Sequence, residues 1–215
     1  MARPRNEQEE QRIYHTGFRM LIESGYKSTS YQTIADASGQ SRAFVQHYIK
    51  KKEQLLERFI KELLDHMDVW VLEHRNIRDI YTNFALTGQL YFAFLFNERV
   101  QPLAMDMLGD RNISLVVIEA NTAYQQHKSH QTAARQNKLL QEIVRLIGGS
   151  YELAYYCLCN NLSLDPFEES LRIVLGYAEL VGEDLQEIAD HTRSAALSSS
   201  EVHDALHTIL ERITQ

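Results

Sequence analysis

Very little in this sequence can stop a helix. Across 215 residues there are 9 glycines and 3 prolines, and the stretches between them are rich in Leu, Glu, Gln, Ala and Arg. Glycine and proline are the two residues a helix interior tolerates least, and the intervening types are good helix formers. Apolar residues recur at spacings of three and four, so an all-α chain is expected. With 44% apolar and 24% charged residues, the chain is too apolar for disorder and long enough to bury a substantial core. The longest apolar run, Leu90 to Phe96, falls far short of the roughly 20 residues a membrane span needs. No apolar stretch follows the basic residues of Met1–Glu7, so no secretory leader is expected there. Cys157 and Cys159 are too few for a four-cysteine zinc site, and two apart on a helix they diverge. A reduced, cytoplasmic protein without a membrane partner is the expectation.

Charge divides the chain. Residues 1–52 carry nine Lys/Arg against five Asp/Glu, a net +4, and the remaining 163 residues carry −11. A basic head on an acidic body points the head toward a polyanion. Basic segments are also often just solvated faces, so the local pattern has to decide.

The first periodic segment spans about Asn6 to Ser24, with Ile13, Gly17, Phe18, Leu21 and Ile22 on one face. Asn6 is a start signal, and Gly25 is read as a left-handed residue that ends the helix. Ser30 caps a short helix over Tyr31–Ser38, with Ile34 and Ala37 inward. After a Gly39-Gln40 turn, Ser41 caps a second over Arg42–Ile49, with Val45 and Ile49 inward. Two such short helices joined by a glycine turn form a helix-turn-helix, whose second helix enters the major groove. Its outward residues are Arg42, Phe44, Gln46 and His47, with Tyr48 near the edge. Arg and Gln suit guanine and adenine, and Phe44 can touch thymine methyls. The helix N-termini at Ser30 and Ser41 suit phosphate, and Lys50-Lys51-Lys52 adds charge beside them. A helical hairpin with a solvated basic face is the competing reading; the glycine turn, twin caps and outward Arg, Gln and His count against it.

Over roughly Ile13 to Leu56 the chain resembles the TetR family of bacterial transcriptional regulators. The resemblance rests on the Ile13–Tyr26 segment ending in Gly and an aromatic, on Thr29–Ala35, on Ser38-Gly39-Gln40-Ser41-Arg42-Ala43, and on Lys52-Glu53-Gln54-Leu55-Leu56. It implies double-stranded operator DNA as partner. It adds Thr33 to the contact set and assigns phosphate contacts to Thr29, Tyr48 and Lys52. Three positions depart from the family pattern: Ala43 for Gly, Gln46 for Tyr and Ile49 for Phe. Gln46 replaces a residue that commonly touches phosphate, which implies a shifted contact set. Arg3 and Arg5 are placed as an arm for the adjacent minor groove.

The acidic body opens with a long helix from Lys52 to about Arg75, which in the resembled family links head to body. A segment from Ile77 to Phe96 follows, greasy all round in its second half, then a short helix over Glu98–Leu108 ending at Gly109. A long helical stretch starts near Asn112, with a break around His127–Gln131. Leu139, Ile143, Leu146, Ile147, Ser150, Leu153, Ala154, Cys157 and Leu158 make one stripe. After Asp165 and Pro166, a strong start signal, Phe167, Leu171, Val174, Leu175 and Ala178 make another. Gly148, Gly149, Ala154, Gly176 and Ala178 permit close helix approach. The resemblance implies a homodimer through Leu139–Asn161 and Asp165–Val181, with an intramolecular core as the alternative. One or two further helices follow Gly182, the last over about Ser200–Ile213.

Trp70, Phe84, Tyr91, Phe94, Met105 and Tyr124 are candidates to line an effector pocket, although core packing explains such residues equally well. His203 and His207 stand four apart without a third ligand, so no metal is expected, and His127 and His130 are read as surface residues. No phosphate loop, nucleophile elbow or di-iron carboxylate pattern occurs, so neither an enzyme nor a cofactor is expected. The expectation is therefore a head over residues 1–51 and an effector-binding, dimerising body over 52–215. As a whole this is a dimeric regulator, a repressor released by a small apolar or aromatic effector. The alternatives are a ligand-independent DNA-binding regulator controlled by a protein partner, and a helical enzyme or carrier.

Overall fold

The computed structural model describes residues 6–77, 79–129 and 133–215, with the side chains of 125–129, 133–140 and 142 outside that description. The expected arm residues Arg3 and Arg5, the side chains of His127, His130 and Leu139, and residues 130 and 131 of the expected break lie outside the described residues, while 127–129 continue the helix that ends at Ser129. Eleven α-helices and no strand occur among those described.

The head is α1 (Glu7–Ser28), α2 (Tyr31–Ser38) and α3 (Arg42–Tyr48). The Asn6 side chain accepts from the Gln8 N–H at 3.1 Å and starts α1. Gly25 does not end that helix in the left-handed conformation the sequence suggested. Its φ of 82° and ψ of 170° kink the chain, which runs on helically to Ser28. Only glycine adopts this backbone readily, and a Cβ here would stand 2.7 Å from the Asp106 carboxylate and 3.0 Å from the Pro102 carbonyl. The Ser30 hydroxyl accepts from the Thr33 N–H at 3.1 Å while the Thr33 hydroxyl accepts from the Ser30 N–H at 2.8 Å, a reciprocal cap worth about 1 kcal/mol. Gly39 ends α2 in the left-handed region, and the Arg12 guanidinium donates to the Ser38 carbonyl at 2.7 Å. Ala35, rather than the expected Ala37, is the buried alanine of α2, and Ile49 follows α3 as its buried cap.

The body begins with α4 (Lys52–His74), whose first half belongs to the head's core as much as to the body's. Leu55, Leu56 and Phe59 are fully buried, and Leu55 packs on Gly17 of α1. Helix α5 (Ile80–Leu95) starts three residues later than the apolar pattern suggested, because the Asp79 carboxylate accepts from the Thr82 N–H at 2.7 Å. Ile80 is exposed, while the rest of α5 is central, packed between α4 and α9. A 3₁₀ turn at Glu98–Val100 leads into α6 (Gln101–Gly109), which lies on α1. Helices α7 (Arg111–Ser129), α8 (Ala133–Cys159) and α9 (Pro166–Val181) complete the bundle, α9 capped by Asp165 with Pro166 at its first position.

Two further helices close the chain, α10 (Leu185–Ala195) and α11 (Ser199–Thr214). Helix α11 packs on α4, α1 and α5, so the chain's last helix spans head and body. One apolar core runs without interruption from Ile13 to Ile213. No described helix is long and apolar enough to cross a membrane.

Candidate functional site

On the outward face of α3, Arg42 and Gln46 are exposed, and Phe44 and His47 are half-buried. Val45, Tyr48 and Ile49 anchor the helix from behind. The Tyr48 ring packs edge-on against Phe44 at 5.2 Å and His47 at 5.0 Å, which fixes the bases of both side chains. Arg42, Phe44, Gln46 and His47 thus share one rigid outer edge, a geometry that fits a major groove. Ser41 caps α3 through the Phe44 N–H at 3.2 Å, and Ser30 and Thr33 are committed to each other at the start of α2.

Three expected phosphate contacts look different in space. Thr29 is completely buried, and its hydroxyl donates to the Gly25 carbonyl at 2.7 Å; it serves the α1 kink and has no face for DNA. Tyr48 is buried, with only 3% of its surface exposed, and acts as packing beneath the outer edge of α3. The Lys52 ammonium sits 4.1 Å over the Tyr26 ring, and burial first of all lowers its pKa. Lys50 and Lys51, exposed just ahead of it, are the better placed cations. Sequence pattern located these residues near the interface but could not show which were already spent on packing.

A second site lies inside the body. A cavity of about 60 Å³ opens between α4, α5, α7, α8 and α9. Three expected residues line it: Phe84, Tyr91 and Tyr124. The other three do not. Trp70 stacks on His74 with ring centroids 4.2 Å apart, Phe94 is wholly buried against Phe59, and Met105 sits on α6. Trp70 and Phe94 are apolar and inward, but helix packing directs them to other parts of the core, and Met105 is only half-buried.

The polar lining was not anticipated. Thr87, Asn121, Tyr151 and Ser170 all face this space and are all nearly fully buried. The Asn121 amide donates to the Val117 carbonyl at 3.0 Å and to the Tyr151 hydroxyl at 2.9 Å, and Tyr151 donates to the Tyr91 hydroxyl at 2.9 Å. Burial pushes the Tyr91 pKa up to about 12 and raises that of Tyr151 well above its ordinary value, so both stay neutral at physiological pH. The Ser170 hydroxyl donates to the Ala85 carbonyl at 2.8 Å. The Tyr124 hydroxyl donates to the Leu64 carbonyl of α4 at 3.4 Å, tying one wall to the helix that enters the head. A threonine inside a greasy helix was the available signal, since a buried polar group needs a partner.

From Phe18 in the head, a run of rings leads to this cavity. Phe18 meets Phe59 at 5.4 Å, Phe59 meets Phe94 at 6.1 Å, Phe94 meets Tyr91 at 6.2 Å and Tyr91 meets Tyr151 at 6.1 Å. Head and body touch again where the Lys27 N–H donates to Asp106 of α6 at 2.8 Å.

Among the described residues no group of three or more His, Cys, Asp or Glu is arranged to hold a metal ion. His207 instead lies 3.6 Å from Glu211. Cys157 is buried and Cys159 exposed, both as free thiols.

Residues 13–59 match the family model described as "Bacterial regulatory proteins, tetR family". The match covers the helix-turn-helix segment and the start of α4, so the likeness is to that segment of the chain. A solved structure, a tetR-family transcriptional regulator from Streptomyces coelicolor, aligns over 98% of this chain and 100% of its own, at 16% identity and a TM-score of 0.49. No curated protein matches the chain.

Proposed function

We propose that this protein is a TetR-type transcriptional regulator, a homodimeric repressor acting in the cytoplasm on double-stranded operator DNA and released by a small effector bound in the cavity of its body. The division of labour follows the charge: residues 1–51 read DNA, and residues 52–215 bind effector and dimerise. Arg42 and Gln46 read bases, Phe44 and His47 complete the edge, and Lys50 and Lys51 hold phosphate.

The observation that carries the effector reading is the link from Tyr124 to the Leu64 carbonyl. A ligand that displaces Tyr124 moves the hydrogen-bond partner of α4, and α4 is shared with the head's core. Release requires the ligand to bind the DNA-incompetent arrangement more tightly, because equal affinity for both shifts nothing.

The dimer reading rests on the outer surface of α8 and α9. Val144, Leu153, Tyr156 and Leu180 are exposed there, with Leu162 in the turn between the helices. Nothing stands within 4 Å of where a Cβ would lie on Gly148 or Gly149, which leaves room for a partner helix. Leu153, a member of the apolar stripe of α8, belongs to this outer face.

In vitro transcription from the gene's own upstream region tests the repressor assignment. Added protein should lower transcript yield, and a cavity ligand should restore it. Yield that rises with protein, or does not change, contradicts it.

A further inference from the structure

Thr87 lies in the middle of α5 with only 4% of its surface exposed, faces the body cavity, and has no hydrogen-bond partner for its hydroxyl. An unpaired buried hydroxyl costs roughly 1–3 kcal/mol. Close by, the chain of donations from Asn121 through Tyr151 ends at Tyr91. The Tyr91 oxygen receives the last proton of that chain, so its own proton is left to give. The cavity therefore holds one directed O–H donor and one uncommitted hydroxyl, set among the apolar walls of Phe84, Ile147 and Val174. No lining residue is an acid or a base other than tyrosine.

We infer that the cavity takes a neutral organic molecule whose carbonyl, or a similar oxygen acceptor, receives the Tyr91 proton and pairs with the Thr87 hydroxyl, its apolar body lying against Phe84, Ile147 and Val174. This rests on the effector reading above and narrows it to a chemical class. An anion finds no cation in this lining, and the carboxylate of Asp68, buried on α4 and felt by Tyr124, opposes it. A cation finds aromatic rings and the field of Asp68, but no lining carboxylate pairs with it directly to replace the hydration it loses on entry.

The size of the cavity adds a structural consequence. At about 60 Å³ it is well below the roughly 150 Å³ of an engineered apolar cavity that holds benzene. A ligand containing a ring must therefore part the surrounding helices, α4 among them, and the energy of the two hydrogen bonds and of apolar burial drives that movement.

Isothermal titration on the full-length protein without DNA tests the inference. The probes are cyclohexanone, acetophenone and 2-acetylnaphthalene, each beside the carboxylate and the ammonium compound of the same skeleton, with ethylbenzene as the hydrocarbon control. At least one ketone should bind saturably, about tenfold or more tighter than its charged counterparts, and acetophenone about tenfold tighter than ethylbenzene. Thr87→Val and Tyr91→Phe should each weaken the ketone about tenfold, with thermal melting confirming the fold. Thr87→Val keeps the shape of the side chain and decides the matter if Tyr91→Phe fails to fold. Failure of all three ketones to bind, equal binding of a charged counterpart, or unchanged ketone affinity in Thr87→Val overturns the inference. A ketone that binds as expected yet leaves operator affinity unchanged instead overturns the effector reading and leaves the ligand class standing.

Discussion

The rings of Phe59 and Phe94 lie 6.1 Å apart, tilted by 44°, and both residues are completely buried. Phe59 also meets Phe18 of the head, and Phe94 meets Tyr91 of the cavity wall, so this pair joins the two regions. Proximity alone does not establish coupling; a variant that separates binding from release does. Phe94→Leu keeps the position apolar and removes both ring contacts, at a cost of about 1–2 kcal/mol in stability. Its ligand affinity should stay within about twofold of the parent while ligand-induced loss of DNA affinity shrinks by about tenfold or more. Titrations of each ligand in the presence of the other check this, and an unchanged release factor removes the pair from the coupling.

Gly25 is where the head is held against α6. Gly25→Ala adds a Cβ 3.0 Å from the Pro102 backbone oxygen and forces alanine to a φ of 82°. The expected loss is about 1–3 kcal/mol, read as a lower midpoint in urea. Hydrogen exchange should rise in the Lys27–Asp106 contact. Gly39 shares the positive φ, but nothing stands within 4 Å of its absent Cβ. Gly39→Asn should therefore cost less than Gly25→Ala, and a reversed order contradicts the packing described.

Much of this architecture could be read from the sequence, and its limits have physical causes. Caps at Asn6, Ser30, Ser41 and Asp165 are local events between neighbouring residues, so pattern alone located those helix starts. The Asp79 cap is hidden in the sequence because Ile77 and Ile80 continue the apolar rhythm past it. The outward edge of α3 was legible from a period of 3.6, whereas the burial of Thr29 and Tyr48 depends on α1 and α3 packing that no local pattern encodes. In the body, inward aromatics were recognisable as a class. Which cavity they face depends on helix crossings, so Phe84, Tyr91 and Tyr124 meet while Trp70, Phe94 and Met105 do not. Helix α11 was legible from about Ser200, close to its true start after the Ser198 cap, but its seat across head and body is purely tertiary.

The proposed dimer face predicts a simple change in mass. The chain weighs 24.9 kDa, and light scattering at micromolar concentration should give twice that. Tyr156→Arg and Leu153→Glu put charge on the exposed face of α8 without touching the core, so both should yield folded monomers with weaker operator binding. A parent protein that scatters as a monomer contradicts the proposed interface.

Glu201 latches α11 to the body through Arg75 at 2.5 Å and caps its own helix at Ser198. The Ser198 N–H and hydroxyl, and then Arg75, hold its carboxyl below the usual carboxylate range. A depressed folded-state pKa contributes stability above the unfolded value of about 4.3, and that contribution fades as pH falls through the folded value. Hydrogen exchange in α11 should therefore be insensitive to Glu201 protonation at pH 6–8, after correction for intrinsic rates, and accelerate below about pH 4. Glu201→Gln should exchange faster at neutral pH and lose most of the acid step. An acid step of undiminished size in that variant assigns it to another group.

The central claim is that the outer edge of α3 reads a DNA sequence. Fluorescence anisotropy with a duplex from the gene's own upstream region and with a scrambled duplex, at several salt concentrations, measures this directly. The parent should prefer its operator by about 10³-fold or more, with affinity for both duplexes falling as salt rises. Lys51→Ala should weaken both about equally and lower the salt slope by about one. Arg42→Ala and Gln46→Ala should cost roughly 1–3 kcal/mol on the operator and much less on scrambled DNA. If Arg42→Ala and Gln46→Ala weaken both duplexes equally, or leave operator binding unchanged, α3 does not read the sequence and the account fails.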